Sequence, residues 1–450
     1  LLFAVHPLHT EAVVWAAGRK DLLSTLFLLT AYLGFRRFQE TRRALPWILS
    51  LLSFLLALLS KALAVTLPAI LLLDALLLRK ARSQKTAYIA LIPFAALSAV
   101  FLQVASFGKD RILASSTLFE TFVMAQKSSV FYLQKFLVPT GLTVIYPYQG
   151  AISLQLSAFF VPLLINVVLL SVAVWQWRKR PMLSFGILFF FVALAPTFFN
   201  FHKGDFLFFA VDRYAYVPSI GFLLVLLTLG AEFLDRVRFP LVFRWSLLSV
   251  ALLALGILSI RQTKVWDTPD TLFGRAIALY PESVSARIAM GSVLRERNQL
   301  QEAFKVLHDG ARFSDHPGLN IEAGLVYSAN GQVEDAREQF RIALKKNPLL
   351  APAEYYLGFL DAYDGNEDGA IEWYVRAIQH DPSYVTVRVH LSELLMKRKD
   401  FEGAQEQLRE ALKWNPFSVE ALEAMIELKK LQKNYSDVTY WQSVLEEMEK

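Results

Sequence analysis

The chain is 450 residues long, 55% hydrophobic and without cysteine, so disulfides, thiol nucleophiles and cysteine-ligated metal centres are excluded. Its mean hydropathy of +0.38 is too high for an ordinary soluble protein of this size. Charge is divided along the chain: residues 1–262 carry 24 Lys+Arg against 10 Asp+Glu, the remainder 22 against 30. The basic pI therefore belongs to the apolar half, and the acidic half would repel phosphate, which argues against a nucleic-acid partner.

Leu1 begins inside an apolar run, LLFAV, and the chain is expected to continue upstream of it. The first polar segment, HPLHTEAVVWAAGRKDLLSTLF (6–27), packs His6, His9, Glu11, Arg19 and Asp21 just ahead of an apolar helix. A spacing of eight between Glu11 and Arg19 predicts that both share a helix face with Trp15. Ion pairing and interfacial anchoring are the plain reading, but charge at the membrane is also a functional lead. A span needs about 20 apolar residues, and eight stretches fit roughly: 21–36, 45–60, 62–78, 87–106, 155–176, 182–200, 214–233 and 244–261. Lys61 sits alone between the second and third.

Alternate turns carry the basic residues: Arg36, Arg37, Arg42 and Arg43; Arg79, Lys80, Arg82 and Lys85; Arg178, Lys179 and Arg180; Arg236, Arg238 and Arg244. By the excess of Lys and Arg on cytoplasmic turns, these are cytoplasmic. The opposite, outer set is residues 1–20, Lys61, 107–154 and 201–213. It holds FGKDR (107–111), YPYQ (146–149) with Tyr146 and Tyr148, and NFHKGDFLFFAVDRYAYVPSIGF (200–222) with His202, Asp205, Asp212, Arg213 and Tyr214. Residues 119–138 are apolar but contain Lys127 and Lys135, and are expected to form an interfacial or re-entrant helix.

After the last span, residues 263–282 read as a connector or degenerate repeat, and 283–450 repeat at about 34 residues. Gly291, Gly324, Gly358 and Ser392 recur, as do Ala303, Ala336, Ala370 and Ala404, with Pro348, Pro382 and Pro416 closing the units. This pattern resembles the tetratricopeptide repeat and implies about five units stacked as an α-solenoid with a groove for a protein or peptide. Tyr355, Tyr356, Trp373 and Tyr374 are expected to pack within repeats. The predicted fold is thus all-α, a polytopic helical membrane bundle followed by the solenoid, with the repeats on the outer side.

HPLHTEAVVWAAGRKDLL (6–23), SKALAVTLP (60–68), LVPTGLTVIYPY (137–148) and DRYAYVPSIG (212–221) resemble the transmembrane and tetratricopeptide-repeat O-mannosyltransferases, of the GT-C membrane glycosyltransferases. The resemblance implies transfer of a sugar, mannose, from a polyprenyl-phosphate carrier to protein Ser/Thr hydroxyls. No Gly-rich nucleotide loop is present, and a site on the outer face has no access to cytosolic sugar nucleotides, which also favours a lipid-borne donor. His6, His9, Arg19, Lys61 and Arg213 are the cations for its phosphate; Asp21, Tyr146, Tyr148, His202 and Tyr214 line the substrate loops. The family's principal Asp lies in an outer loop that would precede Leu1, which leaves Glu11 and Asp212 as the carboxylates in hand. No metal site is read, and participation of a divalent ion is left open. The family resemblance places the chain in a bacterial inner membrane with periplasmic repeats, or in an endoplasmic-reticulum membrane with lumenal repeats. Two other readings remain: a non-catalytic membrane scaffold for envelope assembly, and a transporter of a lipid-linked substrate.

Overall fold

The computed structural model describes residues 1–78, 84–107, 117–203 and 206–449. Arg79, Lys80, Arg82, most of FGKDR and Asp205 lie outside the described residues, as does the side chain of Lys85. The chain folds as two compact units, Leu1–Ala286 and Arg287–Lys450. The connector expected at 263–282 lies within the first.

Every stretch expected to span is helical: Arg19–Thr41, Ala44–Ser60, Leu67–Leu77, Gln84–Phe107, Ser157–Gln176, Pro181–Leu194, Pro218–Arg236 and Leu241–Thr263. Among the described residues, five segments are long and apolar enough to cross a bilayer: Thr86–Val104, Ser157–Gln176, Pro181–Phe199, Pro218–Arg236 and Leu241–Trp266. Ala44–Ser60 and Ala62–Leu77 are apolar but shorter. At about 1.5 Å per residue, a 17-residue helix such as Ala44–Ser60 falls short of a hydrocarbon core of about 30 Å. Arg19–Thr41 is long enough, but Arg19, Lys20 and Asp21 at one end and Arg36, Arg37 and Glu40 at the other shorten its apolar part.

The outward faces of these helices are Leu, Val and Ile; Val242, Leu253 and Ile260 stand exposed on a segment of which no residue is buried. Water would penalise so large an apolar surface, whereas lipid tails cover it at no cost. Inside, Leu28, Ala31 and Phe35 pack against Phe54, Ala57 and Phe94. Gly186 and Gly221 let two spans touch backbone to backbone: a Cβ on Gly186 would lie 2.7 Å from the Gly221 carbonyl oxygen. Small residues at such crossings are how membrane helices approach closely. This one holds the start of Pro218–Arg236, and with it the DRYAYVPS segment, in place.

The polar segments between the apolar helices are more ordered than a string of connections. The segment at 119–138 is a helix, Leu118–Leu137, started by a capping box between Thr117 and Glu120. Beside it lies a small antiparallel sheet of β1 (Tyr146–Pro147), β2 (His202–Lys203) and β3 (Phe206–Ala210), in the order β1-β3-β2. Tyr146 is opposite Ala210, and His202 opposite Leu207. Sequence reading treats these strands as loops. FLFFAV lacks helical periodicity, and its aromatic and β-branched residues suit a pleated surface. Leu8, Phe131, Tyr132, Phe136, Tyr146, Phe159, Phe190 and Phe209 form one core, which fastens the N-terminal segment to helix and sheet.

From Val284 onward the chain is a series of helical hairpins, five pairs in all, ending with Val419–Leu431 and Tyr435–Glu449. Within the second unit Gly358 faces the ring of Tyr374, where a Cβ would come within 2.7 Å. Tyr355 and Tyr374 are buried, and Tyr356 stacks on Phe340 at 5.1 Å. Glu354, fully buried, is held by Arg376 at 3.1 Å and His380 at 2.7 Å.

Candidate functional site

The N-terminal segment turns three times before it becomes a long helix. His6 accepts the Leu8 N–H at 3.2 Å and starts the 3-10 turn Pro7–His9. A short helix, Thr10–Val14, follows and stops where Trp15 goes extended (φ −71°, ψ 121°). The expected shared face of Glu11, Trp15 and Arg19 is therefore broken. Arg19 opens the next helix, exposed and without a side-chain partner among the described residues.

The cation that meets Glu11 comes from much later in the first unit. Arg213 pairs with Glu11 Oε1, and its backbone N–H donates to Oε2 at 2.9 Å. Its guanidinium lies 4.8 Å from the Trp15 ring centroid and 5.3 Å from that of Tyr214, contacts that suit a planar cation. Glu11 is 2% exposed, so this is a buried charge pair with two hydrogen bonds on the carboxylate.

A local pair between Asp212 and Arg213, the plain reading of that sequence, does not form. Asp212 instead accepts from the Tyr146 hydroxyl at 2.7 Å, and that oxygen accepts the Thr143 N–H at 3.0 Å. The pairing of β1 with β3 makes this possible by bringing Tyr146 alongside the residues that lead into the Asp212–Ala215 turn. Burial, and then the neighbouring Glu11 charge, push the Asp212 carboxyl well above the usual carboxylate range. The two carboxyl groups thus differ: Glu11 is paired with a guanidinium, whereas Asp212 holds a proton more tightly than an ordinary carboxyl.

Asp21 and Lys61 form a second ion pair. Lys61 stands at the break between Ala44–Ser60 and the turn Ala62–Thr66, 5.3 Å from the Tyr214 ring. Burial lowers its affinity for a proton while Asp21 raises it.

His6 and His9 are enclosed in protein. His6 stacks on Phe136 (ring centroids 4.3 Å apart) and reaches the Phe136 carbonyl at 2.9 Å. His9 meets the Phe3 carbonyl at 2.7 Å and the Ser219 hydroxyl at 2.9 Å. Burial, then the proximity of His6, take the His9 pKa down to about 3. A neutral imidazole brings no charge to a phosphate, which tells against His9 as one of its cations, and burial lowers the proton affinity of His6 as well. His9 ties the N-terminal segment to the DRYAYVPS segment, and His6 ties it to the helix Leu118–Leu137. Because the folded pKa lies below the ordinary 6.5, His9 costs stability as pH falls from about 6.5 toward about 3. We expect the melting temperature to drop across that window and the drop to flatten in His9→Gln. An unchanged slope would contradict this role.

Tyr148 and His202 do not join the cluster. The Tyr148 hydroxyl donates to the Ala151 carbonyl at 2.8 Å, and Lys127 sits 4.9 Å over its ring. His202 lies in β2 with its ring 4.6 Å from Phe201, and Glu120 is its charged neighbour.

A cavity of about 560 Å³ opens on the Glu11–Arg213 pair, with Trp15, Phe208, Trp266, Asp267, Thr268 and Phe273 among its other lining residues. An apolar and aromatic lining with few polar groups is the usual make-up of a ligand pocket. Sequence reading missed Trp266 and Phe273; the one available signal is that they follow the last span with no intervening linker. Arg213 also borders a smaller pocket, of about 30 Å³, with Asp21, Lys61 and Tyr214. In the second unit a cavity of about 630 Å³ is lined by Phe359, Tyr363, His390, Glu393 and Glu427 among others.

Family models for the tetratricopeptide repeat match residues 321–385 and 362–428. The chain is 22% identical to the Homo sapiens protein O-mannosyl-transferase TMTC3 over 97% of its own length and 54% of that protein. It is 27% identical to the Caenorhabditis elegans protein O-mannosyl-transferase F38B6.6 over 68% of this chain and 44% of that one. A 65-residue segment is 49% identical to Drosophila melanogaster Tmtc1, also a protein O-mannosyl-transferase, covering 14% of this chain and 8% of that protein. Among solved structures, Pseudomonas aeruginosa pilF is similar at 16% identity and TM-score 0.35, over 44% of this chain and 88% of that one. The chain spans about half the length of the first two O-mannosyl-transferases it matches. Its second unit carries tetratricopeptide repeats, its first holds apolar helices long enough to cross a bilayer, and over almost its whole length it is similar to the protein O-mannosyl-transferases.

Proposed function

We propose that the protein is a membrane glycosyltransferase of GT-C type, which moves a sugar, mannose by its resemblance, from a polyprenyl-phosphate carrier to Ser/Thr hydroxyls of a protein on the non-cytoplasmic face. The observation that carries this reading is the buried Glu11–Arg213 pair on the wall of an aromatic cavity, with Asp212 behind it. In the step proposed, the acceptor oxygen bonds to the anomeric carbon as the carbon–oxygen bond to phosphate breaks. The hydroxyl proton passes to a carboxylate, for which Glu11 is the candidate on the cavity wall. Arg213 meets the charge that develops on the departing phosphate, and polyprenyl phosphate leaves. The exposed Arg19 is a further cation for the carrier, and the repeats present the acceptor segment. The arginine-rich turns support an orientation with these loops outside the cytoplasm, in a bacterial envelope the periplasm.

An anchored scaffold has no need of this arrangement. Two buried ion pairs and a raised carboxyl cost desolvation energy that a membrane anchor has no reason to bear. The direct test uses full-length protein in proteoliposomes with a Ser/Thr-rich peptide and labelled sugar, supplied as polyprenyl-phosphate mannose or as a sugar nucleotide. Label should enter the peptide from the lipid-linked donor alone. Transfer from the nucleotide instead, or from neither donor, would sink the reading.

A further inference from the structure

We infer that Asp21 forms a subsite for a single hydroxyl group of the transferred sugar, its Oδ2 oxygen accepting the hydrogen bond; this rests on the transferase reading above. Asp21 is 5% exposed, and Lys61 is bound to its other oxygen, Oδ1. Oδ2 is buried with no hydrogen-bond partner among the described residues. A buried carboxylate oxygen left unsatisfied is expensive, so a missing donor is a physical demand of the site.

The neighbours cannot meet that demand. Ser24 donates to the Ala57 carbonyl at 3.1 Å, Thr25 to the Asp21 carbonyl at 2.7 Å and Thr66 to the Leu63 carbonyl at 3.3 Å. The hydroxyl hydrogens of these three are thus spent on backbone, and although Tyr214 and Tyr216 also line the pocket neither hydroxyl reaches Oδ2, so a donor entering from outside fits the site. Lys61 already balances the Asp21 charge and Arg213 lines the same pocket, so a further cation is disfavoured and a neutral O–H is the fitting donor. The space of about 30 Å³ holds one hydroxyl or one water, not a sugar ring. Arg213 is a wall of both this pocket and the large aromatic cavity. A ring seated beside Arg213 could therefore project one substituent to Asp21.

The test is a binding cycle on full-length protein in nanodiscs. The ligands are polyprenyl-phosphate mannose, its 2-, 3-, 4- and 6-deoxy analogues, and sugar-free polyprenyl phosphate. In the wild type one deoxy analogue should bind on the order of 10–100-fold more weakly than the parent, the range of a hydrogen bond to a charged group. Asp21→Asn should erase most of that discrimination and shift the remaining analogues equally. Since that variant leaves Lys61 unpaired, the double variant Asp21→Asn, Lys61→Gln, which removes both charges, serves as the second measurement and should behave the same way. Equal binding of all the deoxy analogues to the wild type would mean that only water occupies the pocket, and would overturn the subsite. So would discrimination that persists in both variants. Sugar-free carrier binding as tightly as the mannose form overturns the subsite while leaving a lipid-borne donor standing; no binding of any of these lipids removes subsite and donor together.

Discussion

Arg213→Ala is expected to lower kcat/KM for transfer from polyprenyl-phosphate mannose by at least about 100-fold, the scale of losing one charge-stabilising donor at a reacting centre. Two effects of that substitution have to be separated. The guanidinium supplies the charge that meets the leaving phosphate, but it also neutralises Glu11, which is 2% exposed. Removing one partner of a buried pair costs about 3–5 kcal/mol, because the other charge is left stranded. That is enough to lower the yield of folded protein and imitate a catalytic defect. The double variant Arg213→Ala, Glu11→Gln removes both charges, so its melting temperature should recover toward the wild type while transfer stays lost. Since that variant also lacks the proposed proton acceptor, its lost transfer does not separate the two roles; turnover per folded molecule of Arg213→Ala does, and if that stayed near the wild type, Arg213 would be a structural partner of Glu11 and nothing more. Arg213→Lys should rescue poorly, since a lysine cannot reproduce a planar cation stacked between Trp15 and Tyr214.

Glu11→Gln should cost about 100- to 10,000-fold in kcat, the span of general-base contributions, whereas Asp212→Asn should change it little. Glu11 lines the large cavity and touches Arg213. Asp212 lies behind it, and its carboxyl is held above the ordinary range by burial and by the Glu11 charge. A carboxyl whose hold on its proton is strengthened by burial is mimicked better by an amide than one paired with a guanidinium is. The same shift gives a pH test. A carboxyl with a raised folded pKa adds stability below its unfolded pKa, and that stability is lost as pH rises from there through the folded value. The wild type should lose stability with rising pH across that interval, and Asp212→Asn should remove this component. Near-normal turnover in Glu11→Gln would place the proton acceptor elsewhere. A large loss in Asp212→Asn would reverse the two roles.

The Lys61–Asp21 pair illustrates what pattern reading could reach. Both residues stand out by polarity in apolar surroundings, and both were legible as site candidates for that reason. Their pairing was not, because 40 residues and a broken helix separate them. Glu11 shows the opposite failure. Its spacing pointed to Arg19, and the backbone at Trp15 cancelled the periodicity on which that inference stood. His6 and His9 were legible as polar and near the membrane, but whether an imidazole is a cation depends on burial.

Composition and periodicity alone determined that the chain divides into an apolar, basic, helical half and an acidic half of about five helical repeats. Apolar run length and a 34-residue recurrence are local properties of the chain, and each secondary structure has to hide its apolar face whatever its neighbours are. Only the tertiary structure decided that β3 aligns Tyr146 with Asp212, that Arg213 crosses 202 residues to reach Glu11, and that Asp21 keeps one oxygen unpaired. Partner choice among buried charges is a matter of distance and desolvation in three dimensions, and neither quantity is written in residue order.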